Sequence, residues 1–599
     1  MSWDCQGESR RAPPSPRECG LVLAALVGLL SAAYAPSLGG RFIEGWDDRW
    51  LVLENPHVQV LDLAGLSAAV DPTIDRSRLG WEYLPVRDFT VMIDHELWRA
   101  NPVGHRLTSF LVHAATSFGV FLLLARILGR PLLFSAAGSV LFALHPLATE
   151  PVAWIADRKD ALALFFFVAS LLALASAREP GRSPGGRRGR YAVSYLLAAL
   201  CVLSKSNAIA LLVAIPLFLP LLPRLETAGE SAAARRGAWC GAAALAPFLA
   251  LAVLAGLVHF LVFRSGEVVE GAAPVSSLLA TVPPASLRYL RVLLVPVGLS
   301  PHYRDPKPGA LHGAALGILV AGLCAAGTLR IVSLRRRPGG GPGPADSLAF
   351  ALLLALVSLA PALAPLARRS AYIADRYAYA ATLGMALAGA VLLRRASGGR
   401  PALGLALAAV PAVLLGTLTY QRASVWSSEV LLWRDAAARD PNDPIARLNL
   451  GLVYQRLGLG KPAEGEFLAC LDLDPENVKA SHGLAVELLR RDDPDITRAR
   501  RLLESALATD PRFHQAHATL AGLLLSEGNL PDAKRHIDMA LSLDRSAAES
   551  WLELGNYHLL AGNPEAALAA YDEASRLAPG RREIARARAA AMERIEQRK

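Results

Sequence analysis

Charge is scarce in this chain. Only 19% of its 599 residues are Asp, Glu, Lys or Arg, and 53% are hydrophobic; soluble domains usually carry about 25% charged residues. The deficit is local. Residues 20–420 hold nearly all the long Ala/Leu/Val runs, whereas 421–599 read as ordinary soluble protein, so a bilayer domain is expected first and a water-soluble domain second. Cysteine is scarce too: Cys5, Cys19, Cys201, Cys240, Cys324 and Cys470 form no CxxC pair. This argues against a disulfide framework or a metal cluster. There is no P-loop, GxSxG elbow, HExxH or dinucleotide fingerprint, so an ATPase, a serine hydrolase or a zinc protease is unsupported. No repeated half marks the bilayer domain as a transporter. The net charge of +10 comes without a basic stripe interleaved with aromatics or zinc-finger spacing, so no nucleic-acid partner is expected.

A membrane span needs about 20 mostly apolar residues. Candidate stretches lie near 20–38, 106–126, 131–147, 161–177, 191–204, 207–222, 238–263, 309–329, 347–366, 377–394 and 401–419. The stretch 276–299 carries Arg288, Arg291 and a Pro283-Pro284 break, and reads either as a span or as an amphipathic segment on the surface. If it does not cross, every clear basic cluster in a short loop falls on the cytoplasmic side, among them Arg126 and Arg130, Arg335–Arg337, and Arg394 with Arg395. The expectation is therefore about eleven spans, a cytoplasmic tail at 1–19, and an outward C-terminus. Arg11, Arg17 and the Ala33-Tyr34-Ala35 site also give the first span features of a cleavable signal peptide.

The second half repeats. Asp440-Pro441, Asp474-Pro475, Asp510-Pro511, Asp544-Arg545 and Ala578-Pro579 recur at intervals of 34, 36, 34 and 34, the period of tetratricopeptide (TPR) repeats. Small residues (Gly451, Ala463, Ala533, Gly555, Ala567) and large ones (Phe467, Ile537, Trp551, Tyr571) fall where paired helices require them. Four repeats are expected over 442–579, with a capping half-repeat at 420–441 and a solvating helix at 580–599. Such arrays offer a concave surface for peptides or proteins, though the same array serves as a spacer or dimerisation element.

Polar residues cluster at helix ends on the outer side. Loop 39–105 opens with Trp46-Asp47-Asp48. Paired carboxylates at a membrane surface suit a general base or the orientation of sugar hydroxyls. A divalent cation is also compatible, although two carboxylates alone make a thin metal site, and an isolated Asp-Asp pair is equally a solvated turn. His145, Glu150, Asp157–Asp160, Lys205, Arg288, Arg304, Arg368, Arg369, Asp375 and Arg376 lie in other outer segments. Cations there oppose the positive-inside trend; a lipid phosphate is a natural partner for them, and snorkelling to the interface accounts for single ones.

In these residues the chain resembles the transmembrane-and-TPR-containing O-mannosyltransferases and their bacterial relatives, membrane glycosyltransferases of the GT-C fold. The likeness runs through Phe42–Asn55 with its Asp-Asp pair, Ala143–Asp160 (ALHPLATEPVAWIADRKD), Leu203–Asn207, Tyr289–Ser300 and Asp375–Tyr379. Two departures stand out. A Lys-Glu pair of the family is Lys205-Ser206 here, and its Tyr-Arg-Pro is Tyr83-Leu84-Pro85-Val86-Arg87. The resemblance implies an all-α fold, a polytopic GT-C-like domain over 20–419 plus a TPR solenoid. It further implies inverting transfer of a sugar, such as mannose, from a polyprenyl-phosphate donor (dolichyl or undecaprenyl) to a protein hydroxyl. Asp47 or Asp48 would be the base, Lys205, Arg376 and Arg158 would hold the donor phosphate, and His145, Glu150, Asp160 and Arg87 would shape the sugar or acceptor pocket; no resident metal is assigned. The TPR groove would take the acceptor protein, facing the bacterial periplasm or the lumen of the endoplasmic reticulum. The competing readings are a non-catalytic membrane-anchored scaffold and a polysaccharide ligase or polymerase of similar architecture.

Overall fold

The computed structural model describes residues 13–74, 82–179, 183–218, 234–264, 275–303, 344–359 and 373–598. The expected span at 309–329, the cluster Arg335–Arg337, and Arg11, Arg304, Arg368 and Arg369 lie outside the described residues. The described residues are helical or looped throughout, with no strand among them. They divide into two compact units, one ending at Arg439 and the other covering Asp440–Lys599.

The first unit contains α1 (Pro16–Leu38), α2 (Leu63–Val70), α3 (Pro85–Trp98), α4 (Pro102–Leu128), α5 (Leu133–Ala143), α6 (Thr149–Ala153), α7 (Arg158–Ala177), α8 (Pro184–Ser204), α9 (Ile209–Phe218), α10 (Ala234–Arg264), α11 (Val275–Leu294), α12 (Pro344–Leu359), α13 (Thr382–Ala396), α14 (Pro401–Val425) and α15 (Glu429–Arg439). Among the described residues, six helical stretches are long and apolar enough to cross a membrane: Pro16–Leu38, Pro102–Leu128, Ile155–Ala177, Ala244–Val262, Asp375–Ala396 and Pro401–Val425. All six match spans read from the sequence, so this is a multi-pass membrane protein. The expected span at 131–147 is corrected. α5 has 11 residues, about 16 Å of rise, which is too short to cross alone. The stretch 276–299 is helical over Val275–Leu294, with Ala285, Tyr289, Val292 and Leu293 buried and Leu287 and Leu294 exposed, the two-sided pattern of an amphipathic helix.

Local chemistry explains the helix ends. Ser15 and Glu18 form a reciprocal capping box on α1, satisfying two otherwise orphaned backbone donors. Asn101 caps α4 ahead of Pro102, and Gly129, at φ 65°, ends it. Arg130 holds Glu18 through a two-point ion pair at 2.8 and 3.0 Å, and Arg394 donates to the Leu128 carbonyl at 2.7 Å. The basic loops after α4 and α13 therefore gather at the N-terminal end of α1. Its other end leads to Asp47.

Between α5 and α7 the chain is broken into a 3₁₀ turn at Pro146–Ala148, the short α6 and a second 3₁₀ turn at Ile155–Asp157, yet every residue from Phe142 to Arg158 is buried. Irregular backbone at membrane depth is tolerated where protein covers it, and the polar groups freed by the breaks are then available to other parts of the chain rather than to lipid.

The second unit pairs α16 (Pro444–Arg456) with α17 (Gly460–Leu473), α18 (Val478–Leu489) with α19 (Ile496–Thr509), α20 (His514–Ser526) with α21 (Leu530–Leu543), and α22 (Ala548–Leu560) with α23 (Pro564–Leu577); α24 (Arg582–Glu596) follows. Gly458, Gly528 and Gly562 close the first helix of three pairs with φ between 71° and 78°, a left-handed conformation that only glycine adopts without strain. The second pair, with its insertion at Asp492-Asp493-Pro494, lacks that glycine. The expected half-repeat also reads differently: α14 continues to Val425, and α15 belongs to the first unit, not to the array.

Candidate functional site

The site grows from the loop after α1. Asp48 is fully buried, and both of its oxygens are occupied: Oδ2 accepts from Ile43 N–H and Oδ1 from Ala156 N–H, each at 2.9 Å. Burial pushes its carboxyl up to about 6, against the pull of those amides and Arg106. Asp48 thus staples its own loop to the turn before α7. Asp47 is half-buried. Burial raises its pKa, opposed by Lys159 and Arg376, with Glu82 and Arg87 also acting on it. Of the two acids, Asp47 is the one whose oxygens no backbone amide holds among the described residues.

Around Asp47 lies a charged array. Lys159 donates to both oxygens of Glu82 at 2.8 and 2.7 Å, and Arg87 reaches Glu82 at 3.0 Å and Asp88 at 2.8 Å. Burial would raise the Glu82 carboxyl, but Lys159 and Arg87 outweigh it and hold the pKa at about 2. Although Arg87 is displaced from the family pattern, it reaches this array. Glu82 and Lys159 are members that sequence reasoning did not assign; the only signal for Glu82 was its place immediately before the Tyr83–Arg87 stretch.

Next to this array opens a small cleft lined by Asp160, Lys205, Asn207, Ser358, Arg376, Tyr377 and Tyr379 on its polar side and by Ala163, Leu164, Ala208, Leu211 and Ala380 on its apolar side. Lys205 pairs with Asp160 and lies 5.3 Å from the centre of the Tyr377 ring. Arg376 sits in a 3₁₀ turn (Asp375–Ala381), where its backbone N–H donates to Glu150 Oε2 at 2.9 Å. Its guanidinium is 3.5 Å from Glu150 and 3.7 Å from Asp157, and 5.2 Å from the Trp154 ring. Burial raises the Glu150 pKa, opposed by Arg376 and Arg422. Both Asp157 oxygens and Glu150 Oε1 are buried with no hydrogen-bond partner among the described residues. Such orphans are rare in native proteins, and here they ring one guanidinium. Lys205 and Arg376 thus stand together beside an apolar wall.

Two expected site residues, the phosphate-holding Arg158 and the pocket residue His145, point elsewhere. Arg158 is wholly buried, at 2.5 Å from Asp94, and it donates to the His105 carbonyl at 2.7 Å and the Ser109 hydroxyl at 3.1 Å. It ties α7 to α3 and α4 and does not line the cleft. His145 bridges the Leu293 carbonyl (3.1 Å) and the Leu147 N–H (3.3 Å), and burial lowers its pKa to about 4. It is a neutral linker to α11. Among the described residues no group of three or more His, Cys, Asp or Glu side chains is placed to hold a metal ion.

Comparison with known proteins agrees with both units. Residues 490–549 match the tetratricopeptide repeat family model. The human protein O-mannosyl-transferase TMTC3 is 23% identical over 91% of this chain, and the Caenorhabditis elegans protein O-mannosyl-transferase F38B6.6 is 24% identical over 79%. The matched chain spans 66% of the length of each of these relatives. Human TMTC2 is 34% identical over 15% of the chain and 11% of its own length. Among solved structures, the thermophilic TPR protein TTC0263 of Thermus thermophilus is 23% identical, covering 30% of this chain and 95% of its own, at a TM-score of 0.25. The chain is an all-helical multi-pass membrane protein with a C-terminal TPR array, and along most of its length it is similar to the TMTC protein O-mannosyl-transferases.

Proposed function

We propose that the protein is a membrane glycosyltransferase that moves a sugar from a polyprenyl-phosphate donor to a protein hydroxyl on the extracytoplasmic face. The observation that carries this reading is the company of Asp47: a carboxylate with untethered oxygens, under the influence of Arg376, which lines a cleft with Lys205 and an apolar wall.

In this reading the donor phosphate lies between Lys205 and Arg376, and its tail runs along Leu164 and Leu211. The acceptor oxygen attacks the anomeric carbon from the face opposite the phosphate. The bond from that carbon to the phosphate oxygen breaks, the hydroxyl proton passes to Asp47, and the polyprenyl phosphate leaves with one more negative charge. Cations fixed before the reaction stabilise that developing charge without reorganising. The burial that raises the Asp47 pKa makes it a stronger base than an exposed carboxylate. Asp160 orients Lys205, and Glu150 and Asp157 orient Arg376. The TPR array recruits the acceptor protein, and mannose is the sugar that the names of the relatives suggest.

The test is transfer by the purified protein from radiolabelled polyprenyl-phosphate mannose to a Ser/Thr-containing protein. Transfer by the wild type that is lost in Asp47→Asn, with donor binding retained, is the expected result. Equal transfer by both proteins removes Asp47 as the base. Folded wild type that neither binds nor turns over the donor rejects the glycosyltransferase reading.

A further inference from the structure

The end of α14 and helix α15 take no part in the proposed chemistry, yet both halves of the site lean on them. Arg422 is buried near the end of α14. Its guanidinium stands between two carboxylates, 2.9 Å from Asp435 on α15 and 3.7 Å from Asp375. Asp435 is held in turn by Arg439 at 2.8 Å. The second oxygen of Asp375 accepts from the Tyr303 hydroxyl at 2.5 Å. Asp375 immediately precedes Arg376, the cation of the cleft. Without Arg422, this buried carboxylate would lose the cation it pairs with, leaving the more remote Arg288, and the guanidinium of the next residue would be available to replace it. An unpaired buried charge is costly enough to drive such a rearrangement.

The same segment supports Asp47 by a different interaction. The rings of Trp433 and Trp426 lie 5.3 and 6.1 Å from that of Trp46, the residue before Asp47. The turn between α14 and α15 also grips the start of the loop: the Arg41 N–H donates to the Ser427 carbonyl at 3.0 Å. Gly40 passes so close that a Cβ there would stand 2.6 Å from the Ser427 oxygen, which excludes any larger residue. Arg106 donates to the Arg41 and Trp426 carbonyls at 2.5 and 3.4 Å, joining the two strands of chain from behind.

We propose that Arg422, Trp433 and Asp435 are positioning residues, and that the α14–α15 segment sets Asp47 and Arg376 in register through two separate struts, one aromatic and one ionic. This rests on the reading of the cleft as the donor site. The struts act on different reaction parameters. Arg422→Gln should raise KM for the polyprenyl-phosphate sugar roughly ten-fold, the scale of a lost charge-assisted contact, with kcat changed less. Trp433→Ala should lower kcat by about ten-fold or more with KM held, since small misplacements of a reacting group carry penalties of that order.

The experiment compares the full-length protein in nanodiscs as wild type, Arg422→Gln, Arg422→Lys, Trp433→Ala, and Asp375→Asn with Arg422→Gln, by donor kinetics and by hydrogen exchange. The double substitution removes both buried charges and should recover most of the donor KM; a double variant no better than Arg422→Gln overturns the ionic strut, and Arg422→Lys keeps that arm readable if the glutamine variant folds poorly. Independently of activity, exchange should quicken within 373–381 in Arg422→Gln and within 41–48 in Trp433→Ala. Unchanged exchange in both segments overturns the positioning role. Variants that show these exchange effects, beside a folded wild type that binds no donor, instead overturn the glycosyltransferase reading alone.

Discussion

The two units treat charge in opposite ways. In the repeats, ion pairs are surface features: Arg535–Asp532 has side chains 75% and 45% exposed, and Arg576–Glu573 67% and 32%. In the membrane unit, Arg158–Asp94 is 0% and 1% exposed and Arg422–Asp375 4% and 5%. Exposed pairs are screened and contribute about 0–1 kcal/mol. Buried pairs lose hydration and are often no better than apolar residues of the same size, but become costly when one partner is removed. The repeats therefore owe their stability to packing. The membrane unit carries an electrostatic load that packing does not require, and part of that load lines one cleft.

The sharpest way to break this contrast is at Asp47. Asp47→Asn should lower kcat/KM for transfer about 10²–10⁴-fold with an unchanged melting temperature. In the wild type, the rate should fall as pH drops through the Asp47 pKa, because the base must be unprotonated, and that acidic limb should lie above the ordinary aspartate value of about 3.9. A limb that persists unaltered in the variant would assign it to another group. Second, Arg158→Ala should destabilise the membrane unit by about 3–5 kcal/mol, seen as loss of folded yield. A well-folded Arg158→Ala with impaired donor binding would return Arg158 to the cleft. Third, Lys205→Met should weaken donor binding by roughly ten-fold or more and, because it leaves buried Asp160 without its partner, should also lower the melting temperature.

Smaller effects belong to the repeats. Gly555 faces the Tyr571 ring so closely that a Cβ would lie 2.3 Å from it. Gly555→Ala should cost about 1–3 kcal/mol by overpacking in the melt of the second unit, with turnover of a short peptide acceptor unaffected. Arg535→Ala, at an exposed pair, should shift that melt by no more than about 1 kcal/mol. A larger shift would place its surface in a contact that the chain alone does not show.

What the sequence made legible follows the same division. The repeats announced themselves because one period recurs and small and large residues alternate within it. Long spans were legible because lipid demands about 20 apolar residues. The 145–160 segment was harder. Its residue types marked a site, and Asp160 lines the cleft while Glu150 meets Arg376, but a broken helix has no single period to say which side chains face the cleft. Neighbours therefore part: Arg158 turns into the bundle and Lys159 meets Glu82. Asp47 and Asp48 part for the same reason. Arg422 and Asp435 escaped notice because the sequence around them reads as the start of the repeats.

One ring in the array bears on how it comes apart. The aromatic ring of Phe467 lies in two glycine notches, Gly451 in its own repeat and Gly483 in the next, each leaving no room for a Cβ. A side chain shared this way gives neither repeat a complete interior until both have formed. Melting should spread across that junction instead of stopping at it, so pulling on the first pair of helices should release the second in the same step.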